Sequence, residues 1–164
     1  MAAHNTYFPH SSDAVAFWLE SLRCRSGRDL WAVLDDDLRL AVAQEYVLDI
    51  TGAPDDSMAA ELSARDSWHP HFRRMVDGLV SRWRQTHRAL AAPIAYPYRC
   101  VPVGCCLEVL VTHGQSPSGV AEPSLFITRF GEDFGWCVAA TNERLPVPGW
   151  PPTDWVIPQL RSKP

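Results

Sequence analysis

The residues able to do chemistry are few and scattered. Glu108 is the one acid inside the apolar run Arg99–Thr112. Facing a pocket it would be desolvated, its pKa would rise, and it would suit general acid–base work. Facing outward, or paired with Arg129 on a neighbouring strand, it would be structural. Trp68-His69-Pro70-His71 sets two histidines one residue apart. In extended backbone such a pair can share a metal, but zinc takes three or four ligands and no second Cys/His cluster has suitable spacing. No metal is expected. His69 and His71 then stand as candidate acid–base groups with Glu108, or as residues turned into a helix by Pro70.

Cys105 and Cys106 are adjacent, so on a strand their side chains point to opposite faces. Cys100, Cys105, Cys106 and Cys137 all fall in strand-like runs, where packing as small apolar residues is the simpler role. A nucleophile would need a nearby base and a lowered pKa. The patterns G-x-S-x-G, G-x-x-x-x-G-K-[ST] and G-x-G-x-x-G are absent, which removes the signatures of serine hydrolases and nucleotide binders. No cofactor is expected.

Seven tryptophans are heavy weight for 164 residues. Trp18, Trp31 and Trp83 fall on apolar helical faces and read as core or pocket wall. Trp136 lies in a strand, and Trp150 and Trp155 in a proline-rich tail that could dock on the sheet, cover a pocket mouth or meet a partner. Together these are the candidate pocket or interface residues.

The elements that must position these residues follow a simple order. Helix-like runs occupy roughly residues 11–92: one starting at Ser11-Ser12-Asp13, a short one that Asp29 can cap, and a short one over Ser57–Ser63. The segment Leu38–Ile50 has apolar residues both two and four apart. Its helix formers and the aspartates ahead of it predict a helix ending at Thr51-Gly52-Ala53-Pro54. The main helix is predicted over Pro70–Leu90, with Phe72, Val76, Leu79 and Trp83 packing against Val101, Val103, Leu107 and Val109. Pro93 and Pro97 forbid its continuation.

Residues 93–141 read as sheet: a strand over Arg99–Thr112 with a bend or bulge at Gly104, then Ser124–Phe130, then Trp136–Thr141. Gly131-Glu132-Asp133-Phe134-Gly135 reads as the hairpin connection before the last of these. Residues 1–10 are expected to be flexible and 142–164 to form the Pro/Trp-rich tail. The expected fold class is α+β: N-terminal helices, then a curved antiparallel sheet whose concave side makes a pocket.

One domain is expected at this length, with about 70% of the unfolded surface buried, so no disulfide is needed. Hydrophobic residues make up 46% and charged residues 21%, ordinary for a globular protein. The net charge is −4, which disfavours nucleic acid as a partner. Eight acids (Asp29, Asp35, Asp36, Asp37, Glu45, Asp49, Asp55, Asp56) precede six arginines (Arg65, Arg73, Arg74, Arg82, Arg84, Arg88), and the two segments are expected to pack together and neutralise each other. A single lysine, Lys163, beside abundant arginine and alanine suggests a high-GC bacterial genome. With no basic-then-apolar leader, no long apolar run and an odd cysteine count, a cytoplasmic setting is expected, with no membrane contact.

Helices followed by a curved sheet whose last hairpin carries Gly135-Trp136-Cys137-Val138 resembles the nuclear-transport-factor-2-like superfamily. The resemblance spans about Ser12–Thr141. It implies a cone-shaped α+β fold with a central pocket between sheet and helices, as in cyclases, ketosteroid isomerases, dehydratases and non-catalytic ligand-binding or dimerising proteins. The chain departs from that pattern by a helical stretch at Asp37–Ile50 and by lacking a recognisable aspartate–histidine pair. The favoured function is therefore a non-catalytic domain that binds an apolar small molecule or forms a homodimer. The alternative is an enzyme of the cyclase, isomerase or dehydratase kind.

Overall fold

The computed structural model describes residues 6–87, 98–102, 106–115 and 121–141. Five helices precede the sheet: α1 Ser11–Cys24, α2 Gly27–Ala32, α3 Asp36–Thr51, α4 Asp56–Ser63 and α5 Phe72–Thr86. Four strands follow, β1 Tyr98–Pro102, β2 Leu107–Gln115, β3 Ala121–Gly131 and β4 Gly135–Thr141, in the spatial order β1-β2-β3-β4 with every pair antiparallel. The α+β class is as expected.

Helix boundaries follow local chemistry. The Asp35 carboxylate accepts the Asp37 N–H at 3.1 Å to start α3, and Gly52 ends it in the left-handed region at φ 73°. Asp55 caps α4 through the Met58 N–H at 2.9 Å. Helix α2 begins at Gly27 for a packing reason: a Cβ there would sit 2.7 Å from Val76 Cγ1 of α5. Asp29, expected to cap α2, lies in its first turn instead and accepts from the Ser26 hydroxyl at 2.5 Å. Pro70 and His71 precede α5 rather than opening it, while Leu90 lies outside the described residues.

The run Arg99–Thr112, expected as one strand, is two. Tyr98 pairs with Thr112 and Pro102 with Glu108, so the chain reverses between Pro102 and Leu107. Alternating apolar residues continue through both arms of this hairpin, which is why the pattern reads as unbroken. Gly104 and its expected bend lie outside the described residues.

Packing also departs from expectation. α1, not α5, lies against the sheet; α5 packs on α1 and α2. Trp18 of α1 fills the space between: its ring lies 5.3 Å from Trp83 of α5 and 5.1 Å from Phe126 of β3. Trp31 meets Phe72 at 5.7 Å. These side chains form one buried core with Leu22, Leu30, Leu34, Leu110 and Val138.

Residues 1–10 were expected to be flexible, yet Phe8 is buried and bonded to the last hairpin: its N–H donates to Phe134 C=O at 3.1 Å and its C=O accepts from Trp136 N–H at 2.9 Å. The Gly135 Cβ position would fall 2.2 Å from the Phe8 carbonyl oxygen, and Gly135 has φ 72°, so glycine is required there twice over. Farther along β4, Val138 donates to Val33 C=O and accepts from Asp35 N–H. Together these contacts cover the outer edge of β4, which would otherwise offer unpaired backbone groups.

Candidate functional site

Glu108 sits half-buried on β2 and takes a hydrogen bond from the Ser11 hydroxyl across 97 residues of chain. Ser11 is buried in the first turn of α1, whose preceding residue His10 supplies no side-chain cap. The carboxylate therefore serves the positive end of α1 and ties it to the sheet. The neighbouring Thr128 hydroxyl donates to Glu108 C=O at 3.1 Å.

A network of charges joins α2, α3, α4, β3 and β4. Buried Arg39 donates through Nε to Ser63 C=O at 2.9 Å, through Nη1 to Leu34 C=O at 3.2 Å and through Nη2 to the Asp36 carboxylate. Burial, then the nearby Arg65 charge, pulls its pKa down to about 10, so it stays protonated at neutral pH. Arg65 donates to Ala32 C=O and pairs with Asp36 at 3.4 Å, and its guanidinium carbon lies 3.7 Å from the centre of the Phe134 ring. Arg129 reaches Asp37 at 2.8 Å and Asp35 at 3.4 Å. Burial pushes the Asp35 carboxyl up against the pull of Arg129. Burial also pushes the Cys137 thiol up, outweighing the Arg65 contact at 3.6 Å, so it is protonated and unreactive.

The expected neutralisation of acids by arginines holds at Arg65–Asp36 and at Arg82–Glu45, 3.3 Å apart. Elsewhere the arginines do other work. Arg84 donates to Leu22 and Arg23 carbonyls at 2.8 and 3.0 Å, closing the end of α1.

On the far side of α2 a cleft of about 450 Å³ opens to solvent. Ser26, Gly27 and Arg28 form one wall; Phe72, Arg73, Val76 and Asp77 of α5 form another; Ser67–Pro70 close the end. Gly27 lets α2 approach α5 closely enough to shape the bottom. Trp68 stands at this cleft 89% exposed, whereas Trp18, Trp31 and Trp83 are buried.

The turn leading into α5 is held from within. Ser67 Oγ accepts the His69 N–H at 3.3 Å, His69 Nδ1 accepts the His71 N–H at 3.2 Å, and His71 Nδ1 meets the Tyr46 hydroxyl at 3.2 Å. Each histidine thus commits one ring nitrogen to the protein, and their rings are 5.5 Å apart. Among the described residues no group of three or more His, Cys, Asp or Glu side chains could hold a metal ion.

The candidate residues therefore separate. His69 lines the cleft; His71 and Glu108 do not. Trp18, Trp31 and Trp83 are core rather than lining, and Trp136 is half-buried against Phe130 at 5.6 Å. Trp150 and Trp155 lie outside the described residues. Cys106 is exposed just before β2 rather than packed within a strand, and Cys24, Cys106 and Cys137 form no disulfide. Trp18 and Phe126 pack against each other between α1 and the sheet. The described cleft lies among helical elements.

Arg28, Ser67 and the exposed Trp68 were not singled out by sequence as a binding group. The available signal was the dense Trp68-His69-Pro70-His71 turn, whose tryptophan belongs to neither an apolar helical face nor a strand. Compared against protein-family models, curated proteins and solved structures, the chain matches none.

Proposed function

We propose that this chain is a non-catalytic small-ligand-binding domain and that the cleft between α2 and α5 is its site. One observation carries the reading: Trp68 is left 89% exposed at a cleft of about 450 Å³, while among the described residues Trp18, Trp31 and Trp83 are buried and Trp136 is half-buried. That volume lies within the range of small-molecule pockets, and the exposed Trp68 ring offers a stacking face beside it. An acid–base enzyme would bring an ionisable pair to one substrate. Here Glu108 is engaged at the start of α1, and His69 stands on the cleft without it.

Membership of the nuclear-transport-factor-2-like superfamily belongs to the same proposal, supported by the order of helices then antiparallel sheet and by the Gly135-Trp136-Cys137-Val138 hairpin. A bacterial cytoplasmic setting is proposed with it, supported by composition. No helix among the described residues is long and apolar enough to cross a membrane.

A fragment library screened by amide chemical-shift mapping on the full chain tests the reading. Hits should perturb residues 26–28 and 67–77. Hits confined to other surfaces, or no hits at all, would overturn it.

A further inference from the structure

We propose that the α2–α5 cleft selects a small aromatic carboxylate, an inference that rests on reading this cleft as the ligand site. The cleft gathers donors. Arg28 is exposed and has no ionic partner among the described residues. Arg73, with a side chain 93% exposed, has only a loose contact with Asp77 at 3.7 Å. Ser67 is 7% exposed; its oxygen accepts the His69 N–H, while its own hydroxyl proton meets no acceptor among the described residues. Because His69 Nδ1 accepts the His71 N–H, a neutral His69 ring carries its proton on Nε2 and offers a further donor.

Acceptors are scarce by comparison. Asp77 is the one carboxylate lining the cleft, and it is matched by Arg73. That leaves the unmatched charge of Arg28, which suits a monoanion. The first turn of α5 repeats the bias: it has no acid and carries Arg73 and Arg74, the reverse of what a helix N-terminus favours. A bound anion would relieve that mismatch.

The rest of the lining suits a flat apolar body. Trp68, Pro70, Phe72 and Val76 supply carbon surface beside the donors, and a tryptophan face stacks on planar rings. A carboxylate on a planar ring would place its oxygens on guanidinium and hydroxyl groups with the ring against Trp68.

Three probes of matched shape test this: indole-3-acetate, 3-methylindole and tryptamine, each titrated into the full chain near neutral pH and followed by amide shifts and calorimetry. Indole-3-acetate should move the 26–28 and 67–77 amides. It should bind about tenfold more tightly than 3-methylindole, with tryptamine weakest. Arg28→Gln, at an exposed position, should remove most of that advantage, weakening the acid about tenfold more than 3-methylindole. Raising ionic strength should weaken only the acid. Equal or tighter cleft binding by 3-methylindole or tryptamine would overturn the anion selectivity while leaving the ligand-site reading standing. If none of the three moves these amides, the aromatic carboxylate is overturned, and the fragment screen decides the site reading separately.

Discussion

Around the turn between α2 and α3, the guanidinium groups of Arg39, Arg65 and Arg129 end on carbonyls, carboxylates and an aromatic face. At the cleft on the other side of α2, Arg28 has no ionic partner among the described residues and Arg73 has a loose one. Histidines repeat the contrast. His87 is buried between Trp18 and Phe126, with ring centres 5.4 and 6.4 Å away, while His69 lines the cleft beside solvent. In the sequence these residues are of the same types at unremarkable spacing. What separates them is whether the fold has already supplied their partners. A charge with fixed acceptors holds elements together, and a charge left open at a cleft is available to a ligand.

The sharpest way to break this comparison is to remove the most committed arginine. Arg39→Ala would leave the buried Leu34 carbonyl and the half-buried Ser63 carbonyl without this donor, at a cost of about 4 kcal/mol once the lost packing of the buried side chain is included. Denaturant unfolding should register that loss, while Arg28→Ala should stay within about 0.5 kcal/mol of wild type, as expected for a surface change. Equal effects from the two would erase the distinction.

Acid should expose the buried histidine next. Burial lowers the His87 pKa from 6.5 to about 4. The unfolded chain therefore binds the proton first: stability is fully present above about 6.5 and is lost as pH falls toward 4. The full loss is about 3 kcal/mol. Asp35, whose carboxyl burial pushes up, acts in the opposite direction. Comparing stability–pH curves of wild type and His87→Leu isolates the histidine, and parallel curves would show that His87 does not titrate differently on folding.

Gly135→Ala should cost less, about 2 kcal/mol, because the strain has an exit. The new Cβ cannot coexist with the Phe8 carbonyl 2.2 Å away, so the segment at Phe8 should undock while the remaining strands hold. Faster amide exchange at Phe8 and Trp136 in a folded protein would report this; global unfolding would show the docked segment to be more central. Smallest of all, reductant should leave the thermal transition unchanged within about 0.5 kcal/mol, since Cys24, Cys106 and Cys137 form no disulfide.

Where local chemistry decides a structure, the sequence was legible. The aspartates before Leu38 and the glycine after Thr51 bound α3 as expected, although Leu40, Leu48 and Ile50 remain exposed beside buried Leu38, Val42 and Val47. Those exposed residues supply the two-residue spacing that stood beside the four-residue one. Long-range choices were not legible. Nothing near Phe8 announces that its backbone joins a hairpin more than a hundred residues later, and nothing in α5 says that Trp18 will stand between it and the sheet. The candidate site divided in the same way. The Trp68–His71 turn stood out as a candidate acid–base group, but the sequence cannot show that each histidine already has a ring nitrogen bonded within the protein. Arg28 and Ser67 join them only through packing of α2 on α5, set by Gly27.

The most direct test of open against committed side chains is Trp68→Ala, measured by indole-3-acetate titration and by denaturant unfolding on the same sample. Losing a side chain already 89% exposed should change stability by less than about 0.5 kcal/mol, while affinity for the acid falls about tenfold as the stacking face disappears. A variant that binds indole-3-acetate as tightly as wild type, or that is destabilised by the several kcal/mol typical of a core tryptophan, would contradict the account.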